Sequence, residues 1–285
     1  MDEWITATKL PLGSWIEAFV SNLTDQGADV FDAISTVVGS SIDSVTELLQ
    51  SIPALAFIVV FAGGVYWLHR SLVLSIGSAL SLLLIANLGY WNATMETLSL
   101  VVSATLVSVV IGVPIGIAAA HRPMLFTVLR PILDLMQTIP TFVYLIPTLI
   151  LFGLGVVPGL ISTVIFAIPA PIRLTHLGIS AVPKHLIEAG EAFGATKRQL
   201  LWKIELPSAL PTIMAGITQC IMLSLSMVVI AALVGAGGLG KPVVRALNSV
   251  NIGMGFEAGL AIVILAIILD RVCKLPERQH SGRAS

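Results

Sequence analysis

Residues Glu188 to Pro207 read EAGEAFGATKRQLLWKIELP, a charged segment broken by Gly194 and set between two long apolar runs. A chain that crosses a bilayer has few reasons to keep a compact, helix-forming polar element between spans. The best reason is that a soluble partner grips it there. Ala189, Ala192 and Phe193 lie among helix formers, and Gly194 then ends a first short helix in the manner of a C′ glycine. Thr196 followed by Gln199 reads as a capping box that restarts a second helix, which Pro207 closes at the start of the next apolar run. The product is a helix–turn–helix offering Lys184, Glu188, Glu191, Lys197, Arg198, Lys203 and Glu205 to a protein surface; the plainer alternative is a solvated loop.

Composition fixes the medium around that element. Of 285 residues, 56% are hydrophobic and 11% charged, and mean hydropathy is +0.97. Soluble domains carry roughly 25% charged residues, so this chain lacks the polar surface that keeps a domain in water. Repeated apolar runs of bilayer length predict an all-α, polytopic membrane protein. A net charge of −1 gives no reason to expect a nucleic-acid partner. Cys220 and Cys273 fall in or beside apolar runs, with neither metal-ligand spacing nor a disulfide framework. Asp2 and Glu3 open the chain and no apolar run precedes about Pro53, a pattern unlike a cleavable signal peptide.

Seven spans are predicted, at about 52–68, 72–90, 94–120, 132–153, 158–180, 208–234 and 256–272. If the first runs from outside to inside, the inner segments hold twelve Lys and Arg: Arg70, Arg122, Arg130, Arg173, Lys184, Lys197, Arg198, Lys203, Arg271, Lys274, Arg278 and Arg283. The outer segments hold three, Lys9, Lys241 and Arg245. That bias predicts an N-terminus outside, with the polar element and the C-terminal tail in the cytoplasm. Pro114 and Gly116, Pro140 and Pro147, and Pro169 and Pro171 interrupt the third, fourth and fifth spans, where kinks are expected.

Before the first span, Asp2, Glu3, Glu17, Asp25, Asp29, Asp32, Asp43 and Glu47 outweigh the single Lys9. Val30, Phe31, Ile34, Val37, Val38, Ile42, Val45, Leu48 and Leu49 recur at helical spacing, which predicts an amphipathic helix lying along the outer surface or against the bundle.

Residues 235–241, GAGGLGK, match G-x-G-x-x-G through Gly235, Gly237 and Gly240, and nearly match a Walker A loop. Both motifs need a preceding strand, and here a membrane span precedes; Pro242 stands where the Walker Ser or Thr would be. The segment reads instead as a flexible, close-packing outer loop. There is no H-E-x-x-H and no G-x-S-x-G, and His69, His121, His176, His185 and His280 sit at inner ends and tails, so the residues support no enzyme.

Ionisable residues are nearly missing at mid-depth. Glu96 and Glu257 lie near outer span ends, and Asp134, Arg173, Asp270 and Arg271 near inner ends. The interior offers Ser99, Ser103, Thr105, Ser108, Gln137, Thr138, Thr218, Gln219, Ser224 and Ser226, most of them suited to helix packing. A proton-driven carrier would need a buried carboxylate or histidine. The energy source is therefore expected outside this chain.

The polar element resembles the EAA loop of ABC-transporter permeases, E-A-A-x3-G-x9-I-x-L-P, with Glu188, Ala189, Gly194, Ile204, Leu206 and Pro207 in register and Gly190 in place of the second Ala. DLMQTIPTFVYLIP (Asp134 to Pro147), GAGGLG and PLGSW (Pro11 to Trp15) are similar to permeases of glycine betaine, proline betaine and choline importers, and the likeness covers essentially the whole chain. The resemblance implies two permease copies forming a pore, a cytosolic ATPase docked on each EAA loop and an external binding protein that delivers substrate. ATP and Mg would be bound by the ATPase, leaving this chain without cofactor or metal. In that scheme Glu188 to Gly194 is the lever and Pro207 passes its motion to the sixth span. Gln137, Thr138, Pro140, Phe142 and Tyr144 are candidates to line the pathway, with packing the plainer role for the two aromatics.

The organisation so implied is an extracytoplasmic extension over 1–51, two accessory helices over 52–90, a five-helix core over 91–273 carrying the coupling loop at 184–207, and a cytoplasmic tail over 274–285. Competing readings are an importer of another small solute such as an amino acid, a self-sufficient channel or secondary carrier, and a membrane-embedded enzyme.

Overall fold

The computed structural model describes residues 11–274. Asp2, Glu3, Lys9, Arg278, His280 and Arg283 lie outside the described residues, as does the expected tail beyond Lys274. Among the described residues every regular element is helical. Four helices are long and apolar enough to cross a membrane, and six when each of two bent pairs counts as one.

The first clear span is α4 (Trp91–His121), counted after α1 (Leu12–Ser51), α2 (Ala54–His69) and α3 (Leu72–Asn87). Its 31 residues rise about 46 Å at 1.5 Å each, more than the roughly 30 Å of a hydrocarbon core. Pro114 lies inside it without ending it. A Cβ on Gly116 would stand 2.7 Å from the Ile172 carbonyl oxygen, and one on Gly112 3.0 Å from Pro171 Cγ. Two glycines one turn apart thus let α4 lie directly on α8 (Pro169–Ser180).

A variant tests that contact. Gly116→Val should lower stability by about 1–3 kcal/mol through overpacking. Gly77→Val, on α3 with open space around the site, should leave the melting temperature in detergent unchanged.

The fourth predicted span, 132–153, is not one straight helix. α5 (Pro123–Thr138) and α6 (Thr141–Phe152) meet at 94°. Pro140 disfavours helical geometry in the residue before it, and Ile139 accordingly adopts ψ 130°. The buried Tyr144 then donates its hydroxyl to the Met136 carbonyl at 2.6 Å, fixing the corner. Pro169 and Pro171 do not divide their span: α7 (Val156–Ala167) and α8 form one 25-residue apolar stretch.

α2 and α3 have 16 residues each, about 24 Å of helix, less than a full hydrocarbon crossing. Neither alone meets the length of a span, so length and composition give four to six spans among the described residues where seven are predicted. α1, 40 residues long and turned 97° from α2, takes the second of the two placements expected for it. It lies against the bundle: Ser99 donates to the Ile42 carbonyl at 3.2 Å, Gln50 to the Asn92 carbonyl at 3.3 Å, and Phe31 meets Phe152 edge-on at 5.4 Å.

Between α8 and the C-terminal span α13 (Ile252–Cys273) run α9 (Lys184–Ala192), α10 (Lys197–Leu200), α11 (Leu206–Ala231) and α12 (Gly240–Asn248). α10 and α11 belong to a single 38-residue rod, Lys197–Val234. α8 is wedged between α4 and this rod, its Gly178 against Ala209 and Thr212, and its Leu174 against Gly216.

Candidate functional site

The polar element sits at one end of the bundle, and its first helix, α9, buries no residue at all. Its termination follows from hydrogen bonding. Gly194 takes φ +76°, the Gly194 N–H reaches Glu191 O at 2.8 Å, and the Ala195 N–H reaches Gly190 O at 3.0 Å. These two bonds form a Schellman motif, satisfying carbonyls a helix end leaves free.

Gly190 explains why two motif positions fourteen apart belong together. A Cβ there would lie 2.5 Å from Ile204 Cδ1 and 2.6 Å from Leu200 Cδ2. Gly190 thus faces the side-chain ends of Ile204 and Leu200, where α9 lies on the start of the rod. Glu188, Ala189, Glu191 and Ala192 remain exposed, as do Lys184, Lys197, Arg198 and Lys203. Phe193 is 93% exposed and Trp202 64%. Large aromatics left bare on a polar element mark a surface made for covering.

The second helix starts with the capping box: the Thr196 N–H donates to Gln199 Oε1 at 2.8 Å, and Thr196 Oγ1 accepts from the Gln199 N–H at 3.4 Å. Pro207 does not close it, contrary to the expectation. Residues Leu201–Glu205 widen into a π turn, with the Leu206 N–H reaching back five residues to Leu201 O. The extra residue in that turn accommodates the ring and missing N–H of Pro207, and the helix runs on unbroken.

Glu205 is also not available to a partner. It is 7% exposed, the one buried acidic or basic side chain among the described residues, and it meets His121 Nε2 at 2.8 Å. His121 ends α4, so this contact joins the polar element to a span 84 residues away. No local pattern in the sequence signals it.

The opposite end holds the glycine loop. Gly235 and Gly238 have φ near +93° and +92°. The Gly238 N–H donates to Glu96 Oε2 at 2.5 Å, the Leu239 N–H to Thr97 Oγ1 at 2.8 Å, and the Gly155 N–H to Val234 O at 2.8 Å. The loop is therefore a pinned corner and not the flexible one expected. Two of its amides, which a phosphate would need, are already engaged by α4. Beside it lies a cavity of about 470 Å³ whose lining includes Asp43, Glu96, Phe152 and Lys241.

Of the pathway candidates, Phe142 is exposed, Gln137 is half-buried, Thr138 bonds its own helix at Leu135 O, Pro140 forms the corner, and Tyr144 is consumed in bracing it. Among the described residues no cluster of His, Cys, Asp and Glu could hold a metal ion.

Comparison with known proteins places this geometry. Residues 112–278 match the family described as binding-protein-dependent transport system inner membrane component. The chain is 46% identical over 264 residues to the glycine betaine transport system permease protein OpuAB of Bacillus subtilis, covering 93% of each chain. It is 44% identical over 278 residues to the glycine betaine/proline betaine transport system permease protein ProW of Escherichia coli, covering 98% of this chain and 78% of that one. Among solved structures, an inward-facing form of the MetNI methionine ABC transporter superposes with a TM-score of 0.57 at 26% identity, covering 62% of this chain and 89% of that chain.

Proposed function

We propose that this chain, which belongs to the family of binding-protein-dependent transport system inner membrane components, carries glycine betaine and related quaternary ammonium compounds across the membrane. It is a multi-pass permease subunit of an ABC importer and not itself an enzyme. Such a permease works with an ATPase and a substrate-binding protein. The observation that carries the coupling role is α9, a helix with no buried residue that ends in a bare Phe193 and is tied through Gly190 to a rod spanning the bundle.

In this reading Glu188, Ala189, Gly190 and Gly194 form the lever against the ATPase, while Ile204, Leu206 and Pro207 join it to the rod. The chain works as a homodimer in the inner membrane. Its N-terminus and glycine loop are extracytoplasmic, and its polar element and C-terminus cytoplasmic, as the Lys and Arg distribution supports. α1 forms the outer extension, α2 and α3 (within 52–90) are accessory, and residues 91–273 form the core. Gln137, Thr138, Pro140 and Phe142 lie along the pathway; ATP and Mg stay with the ATPase.

The substrate class rests on relatives named for glycine betaine and proline betaine at 44–46% identity across nearly the whole chain. A second reading, an amino-acid importer, draws on the fold shared with the methionine transporter. Uptake by the reconstituted complex decides between them. Labelled glycine betaine should be taken up on ATP addition and be displaced by proline betaine, with methionine having no effect. Methionine uptake without betaine uptake would establish the second reading instead.

A further inference from the structure

α4 and the rod Lys197–Val234 lie side by side and are tied at both ends. At one end Glu96 and Thr97 of α4 hold the amides of Gly238 and Leu239, just beyond the rod. At the other, His121, the last residue of α4, holds Glu205 near the rod's start. The position of that second tie is informative. Leu201–Glu205 is the π turn, where the helical ladder is wider than in the flanking α segments. It also lies directly after Leu200 and contains Ile204, the two residues that receive α9 through Gly190. A push on α9 thus enters the rod at its π turn. A carboxylate buried there with one side-chain hydrogen-bond partner resists displacement, because moving away leaves it desolvated and unpaired.

We propose that His121 and Glu205 are a positioning pair that couples the lever to transport: the pair stiffens the π turn and transmits displacement of α9 to α4 as well as to the rod. The inference rests on the importer reading. Without the tie, the ATPase still binds α9 and hydrolyses ATP, while the π turn absorbs the movement and α4 stays behind. The pair touches neither nucleotide nor substrate, so its signature is the ratio of substrate moved to ATP hydrolysed.

The experiment measures that ratio in proteoliposomes holding permease, ATPase and glycine betaine-loaded binding protein, for wild type, His121→Ala, Glu205→Gln, their double variant, and His121→Asn. The single variants should hydrolyse ATP at near wild-type rates while the ratio falls by about fivefold or more, the lower range of site-to-site coupling. The double variant should be no worse than either single, and His121→Asn, whose amide still donates, should recover part of the loss. An unchanged ratio in both single variants overturns the proposal. So does a parallel loss of ATPase and uptake that leaves the ratio intact, since that describes a merely structural contact. Wild type that shows no ATP-dependent uptake of betaine would instead count against the proposed function.

Discussion

Replacing Gly194 with valine should abolish ATP-driven uptake and leave the chain inserted in the membrane. The residue sits at φ +76° with no atom close enough to hinder a side chain, so the demand is purely conformational. A β-branched residue there costs on the order of 1–3 kcal/mol. That is comparable to what two backbone hydrogen bonds contribute, so the Schellman turn opens and the last turn of α9 frays. The membrane core is untouched, because α9 buries nothing. Asn visits left-handed geometry more readily, so Gly194→Asn should retain a substantial part of the uptake. Wild-type uptake by the valine variant would show that the turn does not set the lever.

Truncating Phe193 is expected to weaken docking of the ATPase on the proposed lever. At 93% exposure it is the least covered large apolar side chain among the described residues, and it sits at the tip of the most exposed helix. Central aromatic anchors at protein interfaces lose roughly 2 kcal/mol or more on truncation, about thirtyfold in affinity. Phe193→Ala should therefore weaken ATPase binding to nanodisc-held permease by about that factor, with no change in the permease's own melting temperature. Alanine at Trp202, 64% exposed, offers a comparison on the second helix. Undiminished binding after Phe193→Ala would place the contact elsewhere on the element.

What could be read in the sequence was local. The Thr196–Gln199 box and the Gly194 turn depend on residues within one helical turn, and their structure follows from short-range hydrogen bonding. The all-helical membrane architecture follows from apolar runs. Prolines proved ambiguous because their effect is decided by neighbours. Pro140 produces a 94° corner, Pro114 lies within an uninterrupted helix that packs closely on α8 at Gly112 and Gly116, and Pro207 is absorbed by a π turn. The glycine pair around Pro114, spaced one turn apart, was a readable sign of close helix contact that the proline obscured.

Long-range polar ties were not legible. Glu205 looked like one more surface charge, and His121 like a helix-end histidine. Only the fold brings them to 2.8 Å. Glu96 similarly read as a charge near a span end, while its hold on the Gly238 amide is what turns a glycine-rich loop into a fixed corner. The shortage of buried charge was legible only in part: Glu205, which the sequence offers as a surface charge, is the one buried acidic or basic side chain among the described residues, and it is held by His121.

On the proposed function, the power for transport enters through residues 184–207 from another protein. The most direct test reconstitutes the purified permease in liposomes with glycine betaine-loaded binding protein and follows labelled betaine with and without the ATPase. Uptake that needs both ATPase and ATP, and is lost in Gly194→Val, is the expected result. Betaine flux through the permease alone, unaffected by ATPase or by that variant, would contradict it.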